Sequence, residues 1–143
     1  MRSKKNWIIP IVFLIVIIQL VVVFYAIPFV KVNNLLKTAN NRTLSEIEEV
    51  FNDRTYRTFI SQSDYVKMHI VEDELNAEEY VKVTAKKKVK LLNIYSLKIT
   101  CDTKIAVYNT ESMTPIKKYT RNLTVNYFFK NGRWTVTSVS NTK

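Results

Sequence analysis

The sequence predicts an α+β fold in which an N-terminal transmembrane helix is followed by a helix packed on a curved antiparallel sheet of four to five strands. Three observations lead to this prediction. A charge-free apolar run covers residues 7–30, stretches of alternating apolar and polar residues fill the second half, and Asn131-Gly132 separates two apolar runs. Alternation with a period of two is typical of half-buried strands, and Asn-Gly is typical of tight hairpin turns.

The first element is the run WIIPIVFLIVIIQLVVVFYAIPFV, residues 7–30. As a helix it would be about 36 Å long at 1.5 Å per residue, which is enough to cross a hydrocarbon core of about 30 Å. A cleaved signal peptide is the alternative. Against it, the run is too long for a typical signal core, and bulky Phe24 stands where a cleavage site prefers a small residue. We therefore expect a retained membrane helix.

The flanking charges predict how this helix is oriented. Three basic residues precede it closely: Arg2, Lys4 and Lys5. Because basic flanks favour the cytoplasmic side, we expect a single-pass protein of the cell membrane with a cytoplasmic tail at 1–6. A juxtamembrane helix or linker, 31–42, would then lead to an extracytoplasmic α+β domain, 43–143.

Gln19 is the one polar side chain near the middle of the span. A buried amide can hydrogen-bond to a neighbouring membrane helix for roughly 1–2 kcal/mol or less. Gln19 is therefore a candidate for membrane-helix association, beside the plainer interpretation of a tolerated lone polar residue.

A second helix is predicted from Thr43 onward. Thr43-Leu-Ser-Glu46 matches a capping box, in which the threonine and the glutamate satisfy each other's backbone N–H groups. Four apolar residues then recur at helical spacing, Leu44, Ile47, Phe51 and Phe59. This pattern predicts an amphipathic helix of four to five turns that packs on the sheet.

The predicted strands begin with DYVKMHIVED, 64–73, where Val66, Met68 and Ile70 alternate with polar residues that include His69. After an acidic connector at 72–79 comes VKVTAKKKVKLL. Its apolar residues, which include Val89 and Leu91, fall on alternate positions and would form the buried face of a half-buried strand, interrupted only by Lys87. The positions between them carry Lys82, Lys86, Lys88 and Lys90. One face of that strand would be lined by lysines.

The last two strands flank Asn131-Gly132. A two-residue loop would pair Lys130 with Arg133, Phe129 with Trp134 and Tyr127 with Val136. In the preceding strand, a single parity is shared by Leu97, Ile99, Cys101, Ile105 and Val107. These residues and the hairpin stripe would form the core.

The order of a membrane helix, further helix and long sheet closing on Y-F-F-K-N-G-R-W-T-V, residues 127–136, resembles the cystatin-like cone of the nuclear transport factor two-like superfamily. A short cytoplasmic tail, one span and an extracytoplasmic cone further resemble the membrane scaffold subunits of type IV secretion and conjugation systems. The resemblance implies a non-enzymatic assembly role. The alternative is a membrane-tethered cone that binds or turns over a small ligand.

The residue inventory offers little for catalysis. A single histidine and a single cysteine exclude the usual zinc clusters, and one glycine excludes a glycine-rich phosphate loop. Asp64 and Asp102 are candidate general bases only if the chain is a cone-type enzyme. We expect no enzymatic activity, no cofactor and no metal.

The strand lysines point instead to partners. Residues 81–143 carry thirteen basic and two acidic residues, whereas 31–80 carry six basic and ten acidic residues. Besides the bilayer, the expected partners are envelope proteins with acidic surfaces, or a second copy of the chain in a homo-oligomer. Solvated strand lysines and binding to anionic lipid or a cell-wall polymer are the alternatives. Nucleic acid is not expected, because the aromatic residues fall on the predicted core face.

Overall fold

The computed structural model describes residues 5–52, 59–72 and 74–142. Its helices are α1 (Lys5–Asn40), α2 (Leu44–Asn52) and α3 (Gln62–Lys67), and its strands are β1 (Glu79–Asn93), β2 (Ser96–Asn109), β3 (Pro115–Lys130) and β4 (Arg133–Thr142). The strands form one antiparallel sheet in the order β1-β2-β3-β4. The predicted α+β class with a curved antiparallel sheet is therefore confirmed, with four strands.

Helix α1 has two parts that differ in their surroundings. By length and composition, it is the one helix in the described part of the chain able to span a membrane. Residues 7–23 are exposed throughout, whereas Val32, Leu36 and Ala39 are fully buried against the sheet. The continuation of the apolar helix thus supplies the main helical cover of β1.

Helix α2 begins at the predicted capping box. The Thr43 N–H donates to Glu46 Oε2 at 2.7 Å, and the Glu46 N–H donates to Thr43 Oγ1 at 3.3 Å. Ile47 and Phe51 are buried, but Leu44 is exposed and does not join them. The predicted continuation over 53–58 lies outside the described residues. Helix α2 packs against α3, so the expectation that it lies directly on the sheet is not met.

The strand predicted over 64–73 is wrong. Gln62–Lys67 forms α3, and the chain from Met68 to Glu72 is irregular. Ser61 is the N-cap, and its hydroxyl oxygen accepts from the Asp64 N–H. A serine followed three residues later by an acid is a helix-start signal, which competes with the alternation of Val66, Met68 and Ile70.

Asn40, the last residue of α1, anchors the irregular segment after α3. Its side-chain amide donates to the carbonyls of Leu36 at 2.8 Å and Met68 at 2.9 Å. Its oxygen accepts from the N–H groups of Ile70 at 2.6 Å and Val71 at 3.2 Å. All four hydrogen bonds of the amide are made in a fully buried position.

The sheet register confirms the predicted core parity. The five residues of β2 named above are all buried, and Lys130–Arg133, Phe129–Trp134 and Tyr127–Val136 are cross-strand partners. Asn131 and Gly132 have φ values of 54° and 75°, as their turn requires. A bulge between Asn126 and Tyr127 accommodates one extra residue in β4 and adds to the curvature.

Candidate functional site

The face of the sheet opposite the helices carries eight lysines, which we call the lysine face. They are Lys82, Lys86, Lys88 and Lys90 on β1, Lys98 and Lys104 on β2, and Lys118 and Lys130 on β3. Because cross-strand partners share a face, the register alone places them together. The four lysines proposed from the sequence as partner-binding residues are all exposed.

The lysine face is nearly uniform in charge. Among the described residues it holds one acid, Asp102, which lies opposite Lys86 in the register, and none of its lysines forms an ion pair there. Lys90 lies directly opposite Lys98. Like charges in cross-strand positions destabilise a sheet, so a partner that supplies carboxylates would relieve this repulsion.

The Lys87 side chain lies on the face of β1 toward the helices, opposite to the side chains of Lys86 and Lys88. Its Nζ donates to the Phe29 carbonyl at 2.6 Å and lies 3.7 Å from the centroid of the Phe29 ring. Burial lowers the pKa of Lys87 from its ordinary value. Lys87 therefore joins β1 to α1. Beyond it, Val89 and Leu91 are exposed rather than in the predicted core, although Val81 on the same face of β1 is buried.

Gln19 lies in the exposed part of α1. No side chain of the described domain reaches the helix at this level, since its contacts with the sheet begin at Phe24. Its association with a neighbouring membrane helix stays a prediction.

The candidate bases serve structural or solvent-exposed roles. The Asp64 carboxylate accepts from the Val139 N–H at 3.1 Å and from the Ser61 hydroxyl at 2.8 Å, and so attaches α3 to β4. His69 is not on a strand, and its Nδ1 lies 2.6 Å from the Ala39 carbonyl oxygen. Asp102 is exposed on the lysine face. In the described part of the chain, no three His, Cys, Asp or Glu side chains are grouped to hold a metal ion.

Two open grooves lie at the end of α1 that is distant from the apolar run. One, of about 870 Å³, lies between α1 and α2 and is lined by polar residues except for Val50. The other, of about 730 Å³, runs along the irregular segment after α3 and contains the ion pair between Arg121 and Glu72 at 2.8 Å. Neither groove lies between α1 and the middle of the sheet, where Ile99, Ile105 and Val125 fill the core.

Sequence reasoning missed an aromatic cluster that joins the two parts of the molecule. The Phe24 ring centroid lies 4.7 Å from that of Phe129 and 4.9 Å from that of Trp134. The indole N–H of Trp134 donates to the Phe24 carbonyl at 2.9 Å, and the Tyr25 hydroxyl donates to the Ile94 carbonyl at 3.0 Å. Both helix residues were predicted to lie in the span, so no local signal marked them as contacts of the sheet.

No protein-family model, curated protein or solved structure matches this chain. The resemblance to the cone superfamily thus rests on sequence pattern, and the function has to be argued from geometry. Three features bear on the function: the lysine face, the contacts of α1 with the sheet, and the filled core.

Proposed function

We propose that the chain is a non-enzymatic, membrane-anchored assembly subunit of a cell-envelope complex, and that its lysine face binds an acidic surface of a neighbouring subunit. The observation that carries this proposal is the set of eight lysines with a single acid on an uncovered sheet face. Conjugation and secretion machines, whose scaffold subunits the chain resembles, are the class of complex we expect.

The contacts of α1 support a retained anchor. Phe24 and Tyr25 are half-buried against the β3–β4 and β1–β2 hairpins, and Pro28 is buried. Cleavage after Ala26 would remove the two aromatic side chains from the domain that they help to close. A signal peptide is removed and does not remain packed on the mature protein, so these contacts favour a helix that stays attached.

The direction of the strands supports a lateral partner. Strand β1 runs antiparallel to α1, with Val81 bonded to Asn41 at one end and Ile94 bonded to Tyr25 at the other. The lysine face therefore extends along the helix axis. If α1 crosses the bilayer, the lysine face is directed parallel to the membrane plane, toward a neighbouring anchored protein. Complementary charge on that protein would guide association.

The alternative, a tethered domain that takes up a small ligand, has weaker support. Ligand sites are usually concave and mostly apolar with a few convergent polar groups. The two grooves are open and lined by polar and apolar groups in similar measure, and the layer between α1 and the sheet is filled by side chains.

The orientation is tested by labelling in intact cells. Glu111 lies exposed in the β2–β3 turn, at the end of the sheet away from Phe24. A membrane-impermeant maleimide is expected to label Glu111→Cys without lysis, because positive flanks place the domain outside. Labelling that requires lysis would reverse the orientation and remove the extracytoplasmic partner.

The partner surface is tested by reversing three charges. We expect K86E/K88E/K90E to reach the membrane and to change stability by no more than about 0.5 kcal/mol per exposed site. Like-charge contact at an interface costs several kcal/mol. Recovery of the co-purified partner after cross-linking in native membranes should therefore fall by more than about tenfold, which corresponds to ~1.4 kcal/mol.

The matched control is K86R/K88R/K90R, which keeps the charge and should keep the partner. If the partner is a second copy, adding Glu48→Lys and Glu49→Lys on exposed α2 should restore self-association, because the two charge patterns are then exchanged. Unchanged partners in a folded K86E/K88E/K90E protein would refute the assignment. So would binding of a fluorescent single-stranded oligonucleotide by the unaltered protein alone.

A further inference from the structure

The exposed apolar residues outside α1 are concentrated at one end of the sheet. Among the described residues, ten large apolar side chains outside α1 are exposed. Six of them lie together on the β1–β2 hairpin and the adjoining end of β3, and we call them the hairpin tip: Val89, Leu91, Leu92, Ile94, Tyr95 and Phe128. Concentrations of this kind mark contact with a protein or a membrane.

The hairpin tip is held at a defined height along α1. The Tyr25 hydroxyl bonds to Ile94, and the Phe129 N–H donates to the Tyr95 carbonyl at 2.7 Å. On the neighbouring hairpin, Trp134 bonds to Phe24. Both turns therefore lie beside residues 24–25 of the helix, inside the charge-free run that ends at Val30.

The part of α1 that extends beyond the domain is too short to fill the hydrocarbon core. Residues 7–23 are the part that extends freely beyond the domain, and 17 residues at 1.5 Å each measure about 25 Å. A hydrocarbon core measures about 30 Å. When the free helix is fully immersed, the hairpin tip reaches the boundary between headgroups and acyl chains.

The residues at this end suit that boundary. Tyrosine prefers the headgroup level, and exposed Tyr95 and half-buried Tyr25 lie here. Basic side chains surround the apolar tip at Lys90 and Lys98 on one hairpin and at Lys130 and Arg133 on the other. Anionic lipid headgroups attract such residues.

We propose that the hairpin tip is a second membrane contact, inserted into the interface of an anionic bilayer, so that the domain stands at a fixed height. This inference rests on the proposed membrane anchor. In this arrangement the apolar end of the sheet contacts lipid, and the middle of the lysine face remains free to bind the protein partner.

The experiment measures depth with the full chain in vesicles of phosphatidylcholine and phosphatidylglycerol. A nitrobenzoxadiazole dye is attached in detergent to Leu92→Cys, Val16→Cys or Glu111→Cys before reconstitution. Burial raises the pKa of Cys101 to about 11, so the native thiol stays protonated and unlabelled. Spin-labelled lipids with shallow or deep nitroxides then quench each dye.

We expect shallow nitroxides to quench the dye at Leu92, deep nitroxides to quench it at Val16, and neither to quench it at Glu111. Adding Ile94→Glu should abolish the quenching at Leu92, because a carboxylate resists insertion. Ile116→Glu, at the exposed start of β3 near the opposite end, should leave it unchanged.

Each other result counts against the proposal in a distinguishable way. Quenching at Val16 without quenching at Leu92 keeps the anchor and overturns the tip. Absence of quenching at both sites overturns the anchor and the tip together. Quenching at Leu92 that survives Ile94→Glu means that the tip is near the bilayer without inserting, which also overturns the proposal.

Discussion

Replacing Asn40 by leucine is expected to lower the free energy of unfolding of the domain by about 3–5 kcal/mol, because several buried polar groups lose their partners at once. The Ile70 and Val71 N–H groups and the Met68 carbonyl all bond to this side chain. Leucine is similar in size and fits the site sterically, so the loss reports hydrogen bonding. Urea unfolding of the full chain in detergent, followed by circular dichroism, measures it.

The control is Asn34→Leu, the same change at an exposed position of α1, where less than about 0.5 kcal/mol is expected. Asn40→Asp should destabilise the domain at least as much as Asn40→Leu, because a buried carboxyl oxygen would then face the Leu36 and Met68 carbonyl oxygens. Equal unfolding midpoints for Asn34→Leu and Asn40→Leu would contradict the hydrogen bonds assigned to Asn40.

The second large effect is expected at Trp134, where alanine should cost about 3–5 kcal/mol by the usual loss for a buried aromatic residue. The indole is 2% exposed, and its ring contacts those of Phe24 and Phe129. Its removal also frees the start of the packed half of α1. We therefore expect a lower urea midpoint together with faster proteolysis near residues 24–31.

Trp134→Phe separates packing from the hydrogen bond. It keeps a ring in the cluster but leaves the Phe24 carbonyl without the indole N–H, for a loss of about 1 kcal/mol. If Trp134→Ala lowered the midpoint without faster cleavage of the helix, the cluster would stabilise the hairpin alone. The coupling between α1 and the sheet would then come from Lys87, Tyr25 and the buried residues of α1 beyond Val30.

The apolar helix, the capping box at Thr43 and the pairing next to the β3–β4 turn could be predicted from the sequence. Each depends on local information. A continuous apolar run needs no partner to be recognised, and a two-residue Asn-Gly turn sets the pairing of the residues next to it, here as far as the bulge between Asn126 and Tyr127. The parity of the lysines is local for the same reason, so the lysine face was predictable on β1.

The extent of that face required the register between strands. Lys98, Lys104 and Lys118 are separated from β1 in the chain, and only the pairing of three strands brings them onto one surface. The sequence also placed Val89 and Leu91 in the core by parity. Alternation along a strand decides on which face of the sheet a side chain lies. Whether that face is covered depends on where the other helices and strands lie.

Contacts between distant parts of the chain set the structure of the segments for which local sequence patterns were ambiguous. Val66, Met68 and Ile70 fit a strand, yet Asp64 bonds to β4 and Asn40 bonds to Ile70, and these bonds hold a short helix and an irregular segment instead. The position of Phe24 and Tyr25 on the hairpins was decided in the same way. Contacts between residues about 70 to 110 positions apart in the chain leave no trace in a local pattern, because their energy depends on the folded surfaces that meet.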